Sequence, residues 1–217
     1  IRDRSKDIVS KLKNHEDFRK LFSNFLFEIG YNKGETFWDR FVVRVAPAEN
    51  NLPYREASRI NIHRDTWGTN LYQQINWWAP VSNVEEKNTM IFYPDYFDVP
   101  VKNTTSTWDL NIYLANRKKG DFSYPSAPQL KEDLPSDINK IPVTIKPGEI
   151  LCFSGAHLHS SSKEKSENTR ISFEIRTICE NDLKSSAQAP NVDCDLQCKF
   201  PKIFKKINDN SPLKITS

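Results

Sequence analysis

From Phe37 onward the sequence consists of short segments rich in Val, Ile, Phe, Trp and Tyr, each bounded by Pro, Gly or Asn. Segments of this kind are typical of β-strands. They predict strands at 38–46, 57–63, 71–79, 89–93, 142–146, 149–154 and 170–178. Because many short strands follow a single helical segment, the sequence predicts a mainly β fold with an N-terminal helix, built as a jelly roll or a barrel-like sandwich.

Helical spacing is confined to two segments. Residues 5–29 carry apolar side chains three and four positions apart and are followed by Gly30, so they predict a helix with one buried face. Residues 106–117 predict a second, shorter helix. The polar stretch 118–141 contains three prolines and predicts a long loop, a type of segment that often covers a functional site.

A chain of 217 residues suits a single domain. We divide it into a helical part (1–36), a jelly-roll core (37–178) and a C-terminal extension (179–217), whose polar and basic composition predicts a solvated end. The formal charge of +3 is too small to indicate nucleic-acid binding, and no apolar run is long enough to span a membrane. The charged first residues do not resemble a signal peptide, so we expect a cytoplasmic protein. The oligomeric state stays open.

The four cysteines do not form a recognisable framework. Cys152 lies in the apolar run 150–153 and is predicted to be a small core residue. Cys194 and Cys198 have the spacing of a metal-binding or disulfide pair. We interpret them as two unrelated thiols, because a structural zinc site needs four ligands and no partner pair lies nearby.

The first segment that indicates chemistry is His63-Arg64-Asp65, at the end of a predicted strand. Residues two apart in an extended chain point to the same side. The imidazole of His63 and the carboxylate of Asp65 can therefore face one metal ion.

A second segment, 147–161, reads as a tight turn, an apolar strand and two histidines, His157 and His159. Either histidine can complete a set of two imidazoles and one carboxylate. Such a set occupies one face of an octahedral iron(II) ion and leaves three positions open. A bidentate keto acid and molecular oxygen require three open positions.

A third segment supplies a cation. Arg170 opens a predicted strand, and a guanidinium group holds a carboxylate through two parallel hydrogen bonds. Ser172 has the same strand parity and can add a hydroxyl contact. Arg176 shares this parity and is an alternative anchor, although the distance from His159 favours Arg170.

On these residues the sequence resembles the iron(II)- and 2-oxoglutarate-dependent dioxygenases, most closely the phytanoyl-CoA dioxygenase-like proteins. The family pattern is a His-x-Asp, a distal His followed by small residues, and an Arg about ten residues later. Here it is matched by residues 63–65, 159–161 and Arg170, and the resemblance covers about residues 57–178. The sequence departs from the family after Pro94, where a histidine of the family pattern is missing.

The resemblance implies a double-stranded β-helix, the cupin-like jelly roll, and the cofactors Fe(II) and 2-oxoglutarate. It implies that His63, Asp65 and His159 are the metal ligands and catalytic residues, and that Arg170 and Ser172 hold the distal carboxylate of the keto acid. The strand with Gln74 and Asn76 corresponds to one that lines the cosubstrate pocket, so both amides are candidate keto-acid contacts. The alternative is an ordinary core strand.

The implied reaction is the oxidation of a small-molecule substrate by O2, with release of succinate and CO2. Because Asp65 retains the carboxylate that halogenating relatives lack, hydroxylation is favoured, while desaturation and ring closure stay open. His159 is preferred to His157 as the distal ligand, since two serines follow it. Two other classes stay open: a cupin-type metal enzyme without 2-oxoglutarate, in which both histidines bind metal, and a non-catalytic jelly-roll binding module.

Overall fold

The computed structural model describes residues 11, 15–46, 48, 60–121, 123–162, 164 and 166–215. The first long helix, α1, spans Glu16–Glu28 and ends before Gly30, whose φ of 100° suits glycine. It lies within the predicted segment 5–29, of which residues 5–10 and 12–14 fall outside the described residues. The other α-helices are α2 (Thr66–Thr69), α3 (Leu110–Lys118) and α4 (Glu180–Ser185).

Nine strands follow one another within the described residues: β1 (Thr36–Trp38), β2 (Val42–Ala46), β3 (Ile75–Pro80), β4 (Met90–Phe92), β5 (Ile141–Pro142), β6 (Leu151–Ser154), β7 (His159–Ser161), β8 (Arg170–Cys179) and β9 (Lys205–Lys206). All their pairings are antiparallel. The larger sheet has the order β6-β3-β8-β1-β9, with β2 also paired to β8, and the smaller sheet has the order β5-β4-β7. The prediction of a mainly β fold is confirmed; closure of the strands into a double-stranded β-helix stays a prediction.

Two apolar clusters show how α1 and the two sheets pack against one another. On the outer face of the larger sheet, Phe22 and Leu26 of α1 pack against Trp77 and Ile175. On its inner face, Trp78 packs against a second set of apolar side chains, which the smaller sheet and the segment after β5 contribute: Met90, Phe92, Val143 and Ile145. The inner faces of the two sheets therefore enclose the space into which the predicted site residues point.

Several strand predictions differ from the structure in their bounds. The predicted strand 38–46 is split into β1 and β2, because the side chain of Asp39 accepts the backbone N–H of Arg176 and the register against β8 shifts by one residue between Trp38 and Val42. Of the predicted strand 57–63, residues 57–59 lie outside the described part, and the remainder forms only a bridge between His63 and His159. The short strands β7 and β9 were not predicted.

The prediction that Cys152 is a core residue is wrong. Along β6 the side chains alternate, so Leu151 and Phe153 enter the cluster between the sheets while Cys152 faces outward. Since β6 lies at one edge of the larger sheet, the thiol is exposed. All four cysteines are free, and the interpretation of Cys194 and Cys198 as unrelated thiols stays a prediction.

The prediction that the C-terminal extension is a solvated end is also wrong. Phe204 and Leu213 are buried, and they pack against Phe37, Leu71 and Ile178. A few apolar residues in a polar segment are enough to attach it to the core, because each fully buried large side chain contributes roughly 1.5–3 kcal/mol. No helix in the described ranges has the length and apolar character needed to cross a bilayer.

Candidate metal centre

His63, Asp65 and His159 lie together between the two sheets. One ligand atom from each residue falls within 4.8 Å of the others. The Nε2 atom of His63 is 3.6 Å from Oδ1 of Asp65, and the Nε2 atom of His159 is 3.6 Å from Oδ2 of Asp65. The two histidines meet because their backbones form a reciprocal antiparallel bridge, with N–H to O distances of 2.9 and 3.0 Å. The group has a ligand set that suits a divalent transition metal.

Both imidazoles are oriented by their second nitrogen. Nδ1 of His63 lies 2.9 Å from the carbonyl oxygen of Asn61, and Nδ1 of His159 lies 2.9 Å from the carbonyl oxygen of His157. A carbonyl only accepts, so each Nδ1 donates its hydrogen and the lone pair stays on Nε2, which faces Asp65. Burial, followed by the neighbouring His63, lowers the pKa of His159 to about 4, so this ring is neutral near pH 7.

The Asp65 carboxylate is held by a chain of side-chain hydrogen bonds. Thr69 donates its hydroxyl to Oε1 of Gln74 at 3.1 Å, Gln74 donates Nε2–H to Oδ1 of Asn76 at 2.9 Å, and Asn76 donates Nδ2–H to Oδ2 of Asp65. Burial raises the pKa of Asp65, but the adjacent His63 and His159, and then the cation of Arg176, lower it by more, so the carboxylate stays ionised. The amides of Gln74 and Asn76 thus support the ligand, and their contact with a keto acid stays a prediction.

Gly155 leaves the space that this series of hydrogen bonds needs. A Cβ atom built on Gly155 would lie 2.6 Å from Nε2 of Gln74, which is too close for any side chain. The carbonyl of Gly155 also accepts the N–H of Thr66, at the start of α2, at 3.2 Å. The turn after β6 is therefore packed directly against the turn that carries Asp65.

His157, the alternative distal ligand, lies outside the group. Its Nδ1 is 3.1 Å from the carbonyl oxygen of Ser154, and its ring packs against Phe97 with a centroid distance of 4.6 Å. It is partly exposed, whereas His159 is buried. The structure therefore brings together His159, and not His157, with His63 and Asp65.

A pocket of about 270 Å³, counted with its open mouth, adjoins the metal group. Its lining combines Asp65 and His159 with side chains of the larger sheet, among them Asn76, Trp78, Glu174 and Arg176. Along β8, residues 170, 172, 174 and 176 share one face. That face is charged, although it lies between two sheets.

Most of these charges are paired. Arg44 on β2 donates Nε–H to Oε2 of Glu174 at 2.9 Å and makes a second contact with the same carboxylate. Arg176 donates Nε–H to Oδ2 of Asp39 at 2.6 Å. The sequence predictions did not include Arg44, Asp39 or Glu174. The strand parity that Glu174 shares with Arg170 was the one local signal for it.

Arg170 and Ser172 are the exception. Arg170 is 2% exposed and Ser172 is fully buried, yet Nε of Arg170 and Oγ of Ser172 have no hydrogen-bond partner among the described residues. The guanidinium lies 5.9 Å from the ring centroid of Trp78. Burial, and then the charge of Arg44, lowers the pKa of Arg170 to about 10, so it remains a cation at neutral pH. A buried cation without an acceptor is costly, and an anion at this position would offset that cost.

The charged groups of the described pocket show which ions it suits. The pairs Arg44–Glu174 and Arg176–Asp39 cancel, and they leave the carboxylate of Asp65, beside the two histidines, and the guanidinium of Arg170. A divalent cation at Asp65 together with a dianion that reaches Arg170 would leave the pocket neutral. These residues therefore fit a metal ion and a dicarboxylate.

Comparisons with known proteins gave structural likeness only. No family model and no curated sequence matches the chain. The solved structures that align with it include EvdO2 from Micromonospora carbonacea var. aurantiaca in complex with 2-oxoglutarate (10% identity, TM-score 0.49, 80% of this chain and 64% of that one). A second is the apo non-heme monooxygenase ThoJ (14% identity, TM-score 0.45, 67% of this chain and 47% of that one). A third is the non-heme alpha-ketoglutarate-dependent carbocyclase SnoK from nogalamycin biosynthesis (14% identity, TM-score 0.43, 79% of this chain and 62% of that one).

The chain spans less than two thirds of the length of each of these three proteins.

Proposed function

We propose that the protein is an iron(II)- and 2-oxoglutarate-dependent oxygenase that hydroxylates a small-molecule substrate and releases succinate and CO2. The observation that carries the proposal is the presence, between the same two sheets, of a His-Asp-His group and a buried arginine without an acceptor. A metal ion alone would account for the first feature, and an anion that reaches Arg170 accounts for the second.

His63, Asp65 and His159 would hold the iron through two Nε2 atoms and one carboxylate oxygen. Two neutral imidazoles and a carboxylate are the ligand set of non-haem iron(II) oxygenases and leave positions open for other ligands. When bound, iron(II) supplies the site at which the keto acid and O2 react. The hydrogen bonds from the two Nδ1 atoms and from Asn76 keep the three ligands oriented toward one point.

Arg170 and Ser172 would bind the distal carboxylate of 2-oxoglutarate. Both side chains are buried and lack partners in the described structure, so binding adds hydrogen bonds without breaking any that are described. The paired arginines Arg44 and Arg176 are less suited, because each already holds a carboxylate. This difference favours Arg170 over Arg176 as the anchor.

The finer assignments come from the sequence. The resemblance favours the phytanoyl-CoA dioxygenase-like group and one oxygenase domain with a jelly-roll core, and a cytoplasmic location stays a prediction from the amino-acid sequence alone. Hydroxylation is preferred because the carboxylate of Asp65 occupies the place that halogenating relatives leave for a halide.

The test is an anaerobic titration of the metal-free protein with Fe(II) and then with 2-oxoglutarate, followed by visible absorption. We expect a weak charge-transfer band that requires both additions. It should be absent in Asp65→Ala and should need much more keto acid in Arg170→Met, whereas Arg40→Met, a matched change at an exposed arginine, should behave like wild type.

The outcomes separate the candidate classes. Iron binding without a band would exclude the 2-oxoglutarate assignment and favour a cupin-type metal enzyme. Absence of iron binding would exclude both enzymes and leave a binding module. If the band forms, succinate release under O2 then identifies the substrates that are turned over.

A further inference from the structure

Asp193, in the C-terminal extension, lies directly behind the predicted metal ligands. Its side chain is only 4% exposed, and its carboxylate accepts three hydrogen bonds. The donors are Nε of Arg64 at 3.1 Å, Nε1 of Trp67 at 2.7 Å and the backbone N–H of Val101 at 3.1 Å. Arg64 and Trp67 lie on either side of Asp65 in the sequence, so one carboxylate holds the chain both before and after a metal ligand.

Arg64 extends this connection to other segments. It stands between the two ligands His63 and Asp65 in the sequence, its side chain is buried, and it points to the side of the chain opposite to theirs. Its guanidinium donates to the carbonyl oxygens of Ala156 at 2.5 Å, Tyr96 at 2.6 Å and Val99 at 2.9 Å. The turn before His159 and the loop after β4 are thereby attached to the His63–Asp65 turn.

The segment that carries Asp193 is itself firmly held. Nδ2 of Asn103 donates to the backbone carbonyl of Asp193 at 2.7 Å, and Nδ2 of Asn70 donates to that of Leu196 at 2.8 Å. Cys194 and Leu196 are buried in the cluster that contains Trp67. The position of Asp193 is therefore fixed, so its carboxylate can orient the groups that donate to it.

We propose that Asp193 is a positioning residue for the metal centre, which acts through Arg64 and Trp67. The inference rests on the proposed metal function of His63, Asp65 and His159. A buried Arg–Asp pair adds little net stability compared with an apolar pair of similar volume, because desolvation of the two charges offsets their attraction. Its specific contribution is orientation, since the guanidinium and the carboxylate impose directions on every group they bind.

The substitution Asp193→Asn tests this with little change in volume. One side-chain oxygen can still accept from Trp67, but the new NH2 group would face Nε–H of Arg64 and N–H of Val101, which are both donors. The His63–Asp65 turn would then lose its support. Asp195→Asn is the matched control, since Asp195 is exposed and lies two residues further along.

The readout is the binding of Co(II) to the metal-free protein, with the visible d–d spectrum as a report on ligand geometry. We expect Asp193→Asn to raise the Kd for Co(II) by about 10–100-fold, the range for loss of a supporting contact, and to change the spectrum. Asp195→Asn should match wild type in both. Far-UV circular dichroism establishes that each variant is folded.

If Asp193→Asn does not fold, Trp67→Phe removes the indole N–H donor, together with part of a buried ring, and it should weaken Co(II) binding by several-fold. Wild-type affinity and spectrum in the folded Asp193 variant, or in Trp67→Phe when that variant is the one measured, would overturn the positioning role alone. Failure of the wild-type protein to bind Co(II) would overturn the proposed metal centre, and this inference with it.

Discussion

Asn76 on β3 donates its amide N–H to the carboxylate of Asp65, the acidic member of the metal group. The hydrogen bond is to Oδ2, while Oδ1 faces His63. This donor fixes the plane of the carboxylate, with Oδ1 toward His63 and Oδ2 toward His159. The position of the acidic ligand thus depends on a residue of the larger sheet as well as on its own turn.

Replacement of Asn76 by alanine should weaken metal binding without abolishing it. The three ligands remain, but the carboxylate of Asp65 can rotate, and loss of such a contact typically costs 10–100-fold in affinity. Calorimetric titration with Co(II) measures the change. Asn111→Ala, at an exposed position on α3, is the control and should bind like wild type. Equal affinity of the two variants would mean that the hydrogen bond does not orient Asp65.

Gly155→Ala should disrupt the same series of hydrogen bonds at Gln74, on the side away from Asp65. The new methyl group would meet Nε2 of Gln74 at 2.6 Å and displace it from Asn76. We expect a stability loss of roughly 1–3 kcal/mol from overpacking, together with weaker metal binding. Gly68→Ala is the matched control, because a Cβ there meets nothing within 4 Å and alanine favours the helix. Urea unfolding of both variants should show opposite signs of change.

Arg170→Met should separate stability from cosubstrate binding. The substitution removes a buried cation that has no described acceptor, so the free energy of unfolding without ligand should stay the same or rise. The affinity for 2-oxoglutarate in the presence of metal should fall by roughly tenfold to a hundredfold, since charge-assisted hydrogen bonds contribute about 1.5–3 kcal/mol. A large loss of stability with unchanged keto-acid affinity would assign Arg170 a structural function instead.

Asp39→Asn should lower the free energy of unfolding by more than the loss of a surface ion pair does. It leaves the guanidinium of Arg176 without its counter-ion beside the pocket, at an expected cost of about 2–3 kcal/mol, because Arg176 is partly exposed. Glu132→Gln, which breaks the exposed pair with Lys102, should change stability by less than about 1 kcal/mol. Chemical denaturation at neutral pH compares the two. Similar small effects would show that the Asp39–Arg176 pair is solvated.

Glu174 should make stability depend on acid. Burial raises its pKa, but Arg44 lowers it further, so the pKa lies below the ordinary value of 4.5. A carboxyl whose pKa is depressed by folding stabilises the native state above its ordinary pKa, and this contribution is lost as the pH falls. The free energy of unfolding should therefore decrease as the pH falls below about 4.5, and the decrease should be less steep in Glu174→Gln. Parallel curves for wild type and variant would contradict this.

Local spacing in the sequence predicted that His63 and Asp65 would face one metal ion, the family resemblance favoured His159 as the third ligand, and the structure brings the three side chains together. That prediction worked because a His-x-Asp at a strand end has its geometry fixed by two residues of backbone. The groups that orient the ligands could not be predicted in this way. Asn76 reaches Asp65 through the pairing of distant strands, and Asp193 reaches Arg64 from the C-terminal extension.

Errors at Cys152 and in the C-terminal extension have the same origin. An apolar run predicts a strand, but whether its alternate face is covered depends on which strand lies at the edge of the sheet. Composition predicts a solvated tail, but Phe204 and Leu213 find apolar partners on strands far away in the sequence. Arg44 faces Ser172 for a similar reason, since that register is set only when β2 pairs with β8.

The pairing of β1 with β8 and β9 has a consequence for biosynthesis. Residues 36–38 leave the ribosome long before their partners at 177–179 and 205–206 have been synthesised. The nascent chain must therefore keep β1 and the tryptophan-rich strand β3 without their shared partner β8 until residues 170–179 have been synthesised. Pairing between such distant segments is slow and leaves apolar strands exposed in the meantime. We therefore expect the larger sheet to form only after β8 and β9 have left the ribosome, with help from chaperones that bind extended apolar segments.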